Sequence, residues 1–263
     1  MRLWTTTSAL ARTTVSEAIR DRILYGLLVF AVGLILLSAV LSNLTLGYQV
    51  RIVTNVSLSA ITLAGTLMSV LLGVGSVSRE IERRTSYPIL AKPITRAEYL
   101  AGKYFGVLAT VYLNVLLMMA AATLMIQQYT DNAFFQYPLL PYLFTLGLTL
   151  LRLAVVAAIA LTLSTFTSST VALIGTVGLT LAGYFTAELR FFLTKSESEA
   201  TQWLGNALYY AVPDFSALDT LPLLLHGHAV TAPTAIAATG YAVCYIVFLL
   251  TAASLIFSRR DLP

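Results

Sequence analysis

The sequence predicts an all-α, polytopic membrane protein, and two observations carry this prediction. Of the 263 residues, 58% are hydrophobic and only 11% are charged, with a mean hydropathy of +0.82; soluble domains are about 45–50% apolar and about 25% charged. So few charges cannot cover a water-exposed surface, and so apolar a composition excludes a disordered chain. In addition, six apolar stretches are each long enough to cross a hydrocarbon core of about 30 Å as a helix.

The six predicted transmembrane helices are separated by polar or charged segments. They cover residues 23–41, 57–77, 99–126, 141–163, 170–189 and 235–257. None alternates apolar and polar residues like an outer-membrane strand, which favours helices. The first is not a cleavable signal peptide, because a charged segment precedes it and no small-residue cleavage site follows. Cys244 is the single cysteine, which excludes an internal disulfide.

Basic residues gather on one side of these predicted spans. Of the 16 Lys and Arg residues, 12 lie before the first span, between the second span and the first turns of the third (Lys103 included), or after the last span. The positive-inside rule makes this side cytoplasmic. We therefore predict a multi-pass protein of the cell (inner or plasma) membrane, surrounded by the lipid bilayer, with both termini in the cytoplasm.

Two segments outside the spans are predicted to be ordered. Residues 1–22 have an apolar stripe at helical spacing, which indicates an amphipathic helix along the cytoplasmic interface; an extension of the first span is the alternative. The external loop 190–234 is too long for a plain connection. Its apolar pieces are too short to span, so we expect short external helices between spans five and six. Residues 23–263 form one predicted six-helix transmembrane domain.

The densest charge of the chain lies in a cytoplasmic elbow, residues 78–98. Pro88 and Pro93 interrupt helical hydrogen bonding, and Thr95 with Glu98 forms a capping-box pattern just before the third span. A solvated loop that merely obeys the positive-inside rule is the alternative. The order of breaks and caps favours an ordered elbow.

Residues 80–103 resemble the signature of the type-2 family of ABC transporter permeases. The matching positions are an acidic residue, a threonine, a Pro-Ile-x-Arg turn and a Leu-x-Gly-Lys helix start: Glu82, Thr85, 93–96 and 100–103. Arg84 replaces the usual glycine before Thr85. Weaker matches at 210–213 and 257–262 agree, and the length, span count and amphipathic N-terminus fit along the whole chain. Within the family, the chain is similar to small permeases of drug or peptide exporters.

The resemblance implies a non-catalytic transport subunit whose elbow docks on a separate ABC ATPase subunit. It also implies a second permease copy, identical or related, around a central pathway. The residues of the implied coupling surface are Arg79, Glu80, Glu82, Arg83, Arg84, Thr85, Tyr87 and Pro88. The chain contains no G-x-x-x-x-G-K-[ST] pattern, so we expect it to hold no cofactor, with ATP and Mg²⁺ on the partner.

Four further features have both a functional and a structural explanation. Arg152 is a basic residue inside a span, which indicates a role in the pathway or in a subunit contact, unless it reaches the outer surface. Asn114 fits a helix-to-helix hydrogen bond better than the pathway. The glycines at 102 and 106 allow close packing, which we expect against the neighbouring span. The pair His226 and His228 lacks a third ligand, so no metal site is predicted.

Two other classes of function compete with transport. A membrane anchor or sensor would recruit a cytoplasmic partner without moving a cargo. An intramembrane enzyme would need paired ionisable residues at one depth, which the spans do not supply. Nucleic-acid binding is not indicated, because the external loop lacks a Lys/Arg cluster. The resemblance implies that ATP hydrolysis on the partner subunit is coupled through this chain to export or to mechanical work across the membrane.

Overall fold

A computed structural model provides the structure of the chain. It describes residues 2–43, 49–82, 95–128, 139–186, 203, 212–219 and 232–259. Within these residues it contains seven α-helices, a 3-10 turn at Ser216–Leu218 and no strand. The helices are α1 (Arg2–Ile19), α2 (Arg22–Asn43), α3 (Gln49–Glu82), α4 (Arg96–Gln128), α5 (Leu139–Phe166), α6 (Ser169–Tyr184) and α7 (Ala232–Arg259).

Five of these helices, α2, α3, α4, α5 and α7, are long and apolar enough to cross a membrane. The all-helical fold and these five spans confirm the prediction. The fifth predicted span, 170–189, corresponds to α6, which is apolar but has only 16 residues. It would extend about 24 Å, less than the hydrocarbon thickness of about 30 Å. A count of six crossings therefore stays a prediction.

Helix α6 ends at Tyr184, earlier than predicted, because another part of the chain packs against its last turn. The amide of Phe215 donates a hydrogen bond to the carbonyl of Gly183 at 3.1 Å. A Cβ at Gly183 would lie 2.6 Å from the carbonyl oxygen of Pro213, so this approach requires glycine. Residues 212–219, which include the 3-10 turn, thus cover the end of α6. The rest of the predicted external loop lies outside the described residues, apart from Trp203 and the first residues of α7.

Helix α5 is the centre of the bundle. Residues 153–161 are each no more than 2% exposed. Alanines in this stretch let α3 approach closely: a Cβ at Gly73 would lie 2.6 Å from the Cβ of Ala160. By contrast, only 22% of the spanning part of α2 and 17% of that of α7 are buried. These two outer helices present large apolar side chains on their exposed faces, as expected for contact with lipid or another subunit.

The predicted N-terminal helix exists as α1, and it packs on the first turns of α4. A Cβ at Gly102 would lie 2.7 Å from the Cβ of Leu10, and a Cβ at Gly106 would lie 2.5 Å from that of Thr14. The prediction that these glycines pack against the neighbouring span is therefore wrong, because α1 occupies the groove that they form. Leu10 and Ala18 of the apolar stripe are buried, whereas Ile19 is exposed. A location of α1 along the membrane interface stays a prediction.

The start of α4 confirms the predicted capping box. The Thr95 amide donates to Glu98 Oε2 at 3.0 Å, and the Glu98 amide donates to Thr95 Oγ1 at 3.3 Å. This reciprocal pair satisfies two amides that have no carbonyl partner at a helix start. Most of the predicted elbow, residues 83–94, lies outside the described residues.

Replacement of Gly106 by alanine should loosen the contact between α1 and α4. The new methyl group would meet Thr14 and the Ala11 carbonyl, so we expect a loss of about 1–3 kcal/mol of stability. The matched control is Gly33→Ala in α2, where a Cβ would meet nothing within 4 Å. Thermal unfolding in detergent measures both variants. Equal unfolding temperatures for the two variants would contradict the close packing.

Candidate coupling site and buried arginine

A buried lysine joins three helices at the end of the bundle where α1 lies, here called the base. The Lys103 side chain on α4 is 1% exposed, and its ammonium donates to Glu80 Oε1 on α3. The Tyr99 hydroxyl donates to the other carboxylate oxygen of Glu80. Glu17 on α1 lies 3.6 Å from the Lys103 Nζ atom. We call these four residues the Lys103 clamp. An ammonium this deeply buried requires such partners, because an isolated buried charge is strongly unfavourable.

A second ion pair connects the turn after α1 to α3. Arg79 Nη1 lies 3.0 Å from Asp21 Oδ2, and Asp21 Oδ1 accepts the amide of Ile23 at 3.0 Å, at the start of α2. Partial burial alone would raise the pKa of Asp21, but the hydrogen bonds from Ile23 and Arg79 and the charge of Arg79 outweigh it. The pKa of this carboxyl is therefore held below its ordinary value of 3.8.

The last helix is attached to the same end through α4. The guanidinium of Arg96 lies over the Phe257 ring, 5.3 Å from its centroid, and donates to the Phe257 carbonyl. The Tyr99 ring stacks on Phe257 with 6.1 Å between centroids. Since Tyr99 also belongs to the Lys103 clamp, one side chain contacts both α7 and the clamp.

A cavity of about 430 Å³ lies beside the clamp, between α1, α3 and α4, and Glu17, Asp21, Arg79 and Glu80 are among its lining residues.

The structure covers two of the predicted coupling residues with their side chains, Arg79 and Glu80. Both hold helices together at the base, and Arg79 is half exposed. Glu82 is the last residue of α3, and its side chain lies outside the described residues, as do Arg83, Arg84, Thr85, Tyr87 and Pro88 entirely. Their predicted role in coupling stays a prediction.

Sequence reasoning missed Lys103, Glu17 and Asp21 as partners of this site. A signal for Lys103 was present, because a lysine inside a predicted span requires a carboxylate from another element. Glu80, three residues beyond the end of the preceding predicted span, is the carboxylate at a matching depth. The involvement of α1 carried no comparable signal, since Glu17 and Asp21 resemble residues of an ordinary solvated helix face.

Arg152 is 2% exposed and lies far from the base, near the end of α6. Its Nη2 donates to Thr62 Oγ1 on α3 at 3.3 Å, and its guanidinium carbon lies 5.5 Å from the centroid of the Tyr184 ring. Asp219, from the segment that covers α6, approaches Nη1 at 3.8 Å. The structure thus brings three other elements to this arginine, for which the sequence predicts a place in a span but no partner.

Asn114 is buried in α4, and its Nδ2 donates to the carbonyl of Thr110, one turn earlier in the same helix, at 2.9 Å. This contact is local to α4, so the hydrogen bond that Asn114 makes in the structure is not the predicted one between helices. The described residues contain no group of three His, Cys, Asp or Glu side chains arranged to hold a metal ion. His226 and His228 lie outside them.

Removal of the lysine charge should destabilise the base of the bundle. Lys103→Met leaves Glu80 partly buried without its cation, and we expect a loss of about 2–4 kcal/mol because Glu80 keeps some solvent contact. The double variant Lys103→Met/Glu80→Gln should recover more than half of this loss. Thermal unfolding of the two single variants and the double variant measures the coupling. Additive losses would contradict a direct interaction.

The ion pair of Asp21 should make stability depend on pH. Because the folded-state pKa lies below the ordinary value, the contribution is complete above that value and is lost as the pH falls through the folded-state pKa. We therefore expect Asp21→Asn to unfold at a lower temperature than the unmodified chain at pH 6, with the difference vanishing at strongly acidic pH. A difference that is independent of pH would contradict the assignment.

Comparison with protein families gives one match along almost the entire chain. The model of the family described as ABC-2 family transporter protein matches residues 8–262. The comparison with curated proteins found no match. The matched range includes the five long apolar helices, the Lys103 clamp and Arg152, and it agrees with the resemblance of residues 80–103 to type-2 permeases. The chain therefore belongs to the ABC-2 family of transporter proteins and is a membrane component of an ABC transporter.

Proposed function

We propose that this chain is the permease subunit that couples ATP hydrolysis by a separate ABC ATPase to export or mechanical work across the membrane. The Lys103 clamp is the observation that carries the proposal. It joins α3 and α4 directly at the two ends of the elbow, because Glu80 lies near the last residue of α3 and Lys103 lies two turns into α4. A force applied to the elbow would therefore move both helices as one body.

Helix α1 extends this rigid body along the base. It is held by close packing at Gly102 and Gly106, by Glu17 near Lys103, and by Asp21 on Arg79. We infer that α1 is a connecting helix beside the elbow, on the cytoplasmic face of the inner membrane. Both termini would then be cytoplasmic, as the distribution of basic residues predicts.

The partner subunits follow from the same proposal. ATP and Mg²⁺ would bind to the ATPase, since this sequence has no P-loop pattern. A second permease copy, identical or related, would complete the pathway. The half-exposed side chain of Arg79 and the charges that the sequence has at 82–84 would give the ATPase a contact of mixed charge. Such a contact suits an association that forms and dissociates repeatedly.

Charge reversal in the elbow tests this function. The chain is co-expressed with a candidate ABC ATPase from its source genome, and ATPase turnover and co-purification are measured in nanodiscs. The variant Glu82→Lys/Arg83→Glu should lower co-purification about tenfold or more, since like charges now face each other at the contact. Its unfolding temperature should not change.

The matched control is Arg51→Glu, at the first turn of α3 and at the opposite end of that helix from the elbow. It should leave both co-purification and turnover intact. A membrane anchor predicts a different pattern, in which a partner binds but nucleotide has no effect on the permease. If no ATPase co-purifies with the unmodified chain, the coupling function is wrong.

A further inference from the structure

A cavity of about 340 Å³ opens beside Arg152, between α3 and α6. This volume lies within the range of about 300–1,000 Å³ that is usual for small-molecule sites. Most of its lining is apolar or carries hydroxyl groups. Its charged lining residues are Arg152 and Asp219.

The guanidinium of Arg152 is incompletely satisfied where it lines this cavity. The Nε atom is buried and has no hydrogen-bond partner among the described residues. The Asp219 carboxylate stands 3.8 Å from Nη1, too far for a hydrogen bond. Among the described residues, the side-chain hydrogen bond of this guanidinium is the one from Nη2 to the Thr62 hydroxyl. A guanidinium presents five donors in a planar fork that matches the two oxygens of an oxyanion. The site thus holds a buried cation with donors to spare.

The entrance to this cavity is apolar. Leu63 on α3 and Leu181 on α6 both line it, and they are 50% and 54% exposed. Both belong to helices with lipid-compatible faces. A molecule that enters between them would meet hydrocarbon side chains first. It would reach the hydroxyls of Thr62, Thr66 and Thr180 and the guanidinium at the inner end.

We propose that this cavity binds an anionic amphiphile, with an oxyanionic head group on Arg152 and a hydrocarbon chain between Leu63 and Leu181. A carboxylate or phosphate would supply the acceptors that the guanidinium lacks, in a setting of low dielectric constant where a charge-assisted hydrogen bond is strong. The apolar entrance would favour a ligand that carries a long chain over a small free anion.

Asp219 acts as the competing anion in this arrangement. Its long contact with Arg152 balances the buried charge when the cavity holds no ligand, and the entering head group displaces it. Asp219 belongs to residues 212–219, which are fixed to α6 by Phe215 and to α7 by the bond between the Asp214 amide and the Tyr241 hydroxyl at 3.0 Å. Ligand binding would therefore bear on the segment that covers the end of α6. Binding belongs to this chain alone and does not depend on an ATPase.

Binding of oleate to the purified full-length chain tests the proposal. The chain is placed in phosphatidylcholine nanodiscs with radiolabelled oleate, and oleyl alcohol, which has the same chain without the charge, is the competitor. We expect saturable binding that oleyl alcohol displaces at least about tenfold less well than unlabelled oleate, since the charge-assisted bonds are missing. Nanodiscs that contain phosphatidylglycerol distinguish a phospholipid from a free fatty acid as the ligand. If phosphatidylglycerol displaces oleate, the ligand is the phosphate of a bilayer lipid. If it does not displace oleate, the ligand is a single-chain acid.

Three variants locate the site. Arg152→Gln should weaken oleate binding about tenfold or more, whereas the charge-matched control Arg51→Gln, in the exposed first turn of α3, should not. Leu63→Trp should block the entrance and abolish binding while the fold is kept. This variant tests the site even if Arg152→Gln does not fold. Asp219→Asn should tighten binding, because the competing charge is gone.

Equal binding of oleate and oleyl alcohol, or equal weakening by Arg152→Gln and Arg51→Gln, would overturn the proposal. So would unchanged binding by a folded Leu63→Trp variant. If oleate does not bind and the variant Leu63→Cys/Leu181→Cys cross-links two copies of the chain, the cavity is a subunit contact and not a ligand site.

Discussion

The burial of a single ammonium group organises the base of this protein. Lys103 sits in the first turns of a membrane-spanning helix, where solvation by water is lost, and its charge must be matched by protein groups. Glu80 and Glu17 provide the match from α3 and α1. Glu80 cannot leave without exposing an unpaired charge to a poor solvent, so the positions of α3 and α4 depend on each other. Glu17 is mostly exposed, and it adds a weaker contact from α1. The glycines of α4 add the steric condition that α1 lies close enough to contribute.

The two buried cations among the residues that the structure describes are balanced in different ways. Lys103 has a direct carboxylate partner, which is itself bound by Tyr99. Arg152 has a carboxylate at 3.8 Å, a single hydroxyl acceptor and an unpartnered Nε among the described residues. Contact with the ring of Tyr184 supplies part of the remaining stabilisation. The first arrangement resists separation of its helices, whereas the second leaves capacity for another anion.

Much of the fold follows from the sequence because its determinants are local or periodic. Span positions depend on runs of apolar residues, and the capping box at Thr95 and Glu98 requires only that four consecutive residues adopt the start of a helix. Contacts between segments that are distant in the sequence do not follow from such local patterns. The glycine pair of α4 predicts a close contact with another helix but does not say which helix. In the structure this helix is α1, which is not a span. The end of α6 likewise depends on a segment some 30 residues later in the chain, whose approach no local pattern encodes.

The difference between local patterns and long-range contacts also explains which site residues the sequence indicates and which it does not. Arg152 was identifiable because an arginine among apolar neighbours is conspicuous in any span. Asp219 was not, because an acidic residue in a long external loop is ordinary until the loop folds back onto the helix. The resemblance implies that Glu80 belongs to the coupling surface of the elbow. In the structure its carboxylate accepts hydrogen bonds from Tyr99 and Lys103, inside the bundle.

The two buried cations contact helix α3 at two separate points along its length. Thr62 and Glu80 are 18 positions apart on α3, which is about 27 Å at the helical rise. One helix therefore touches both sites. At the Glu80 end, α3 is fixed to α4 and to the turn after α1 by ion pairs. At the Thr62 end, it bonds to Arg152 of α5 and lines the cavity, while Gly65 packs closely against Leu153 of α5. Because α3 is closely packed at both sites, a displacement of its base would be carried along the helix to the wall of the cavity beside Arg152.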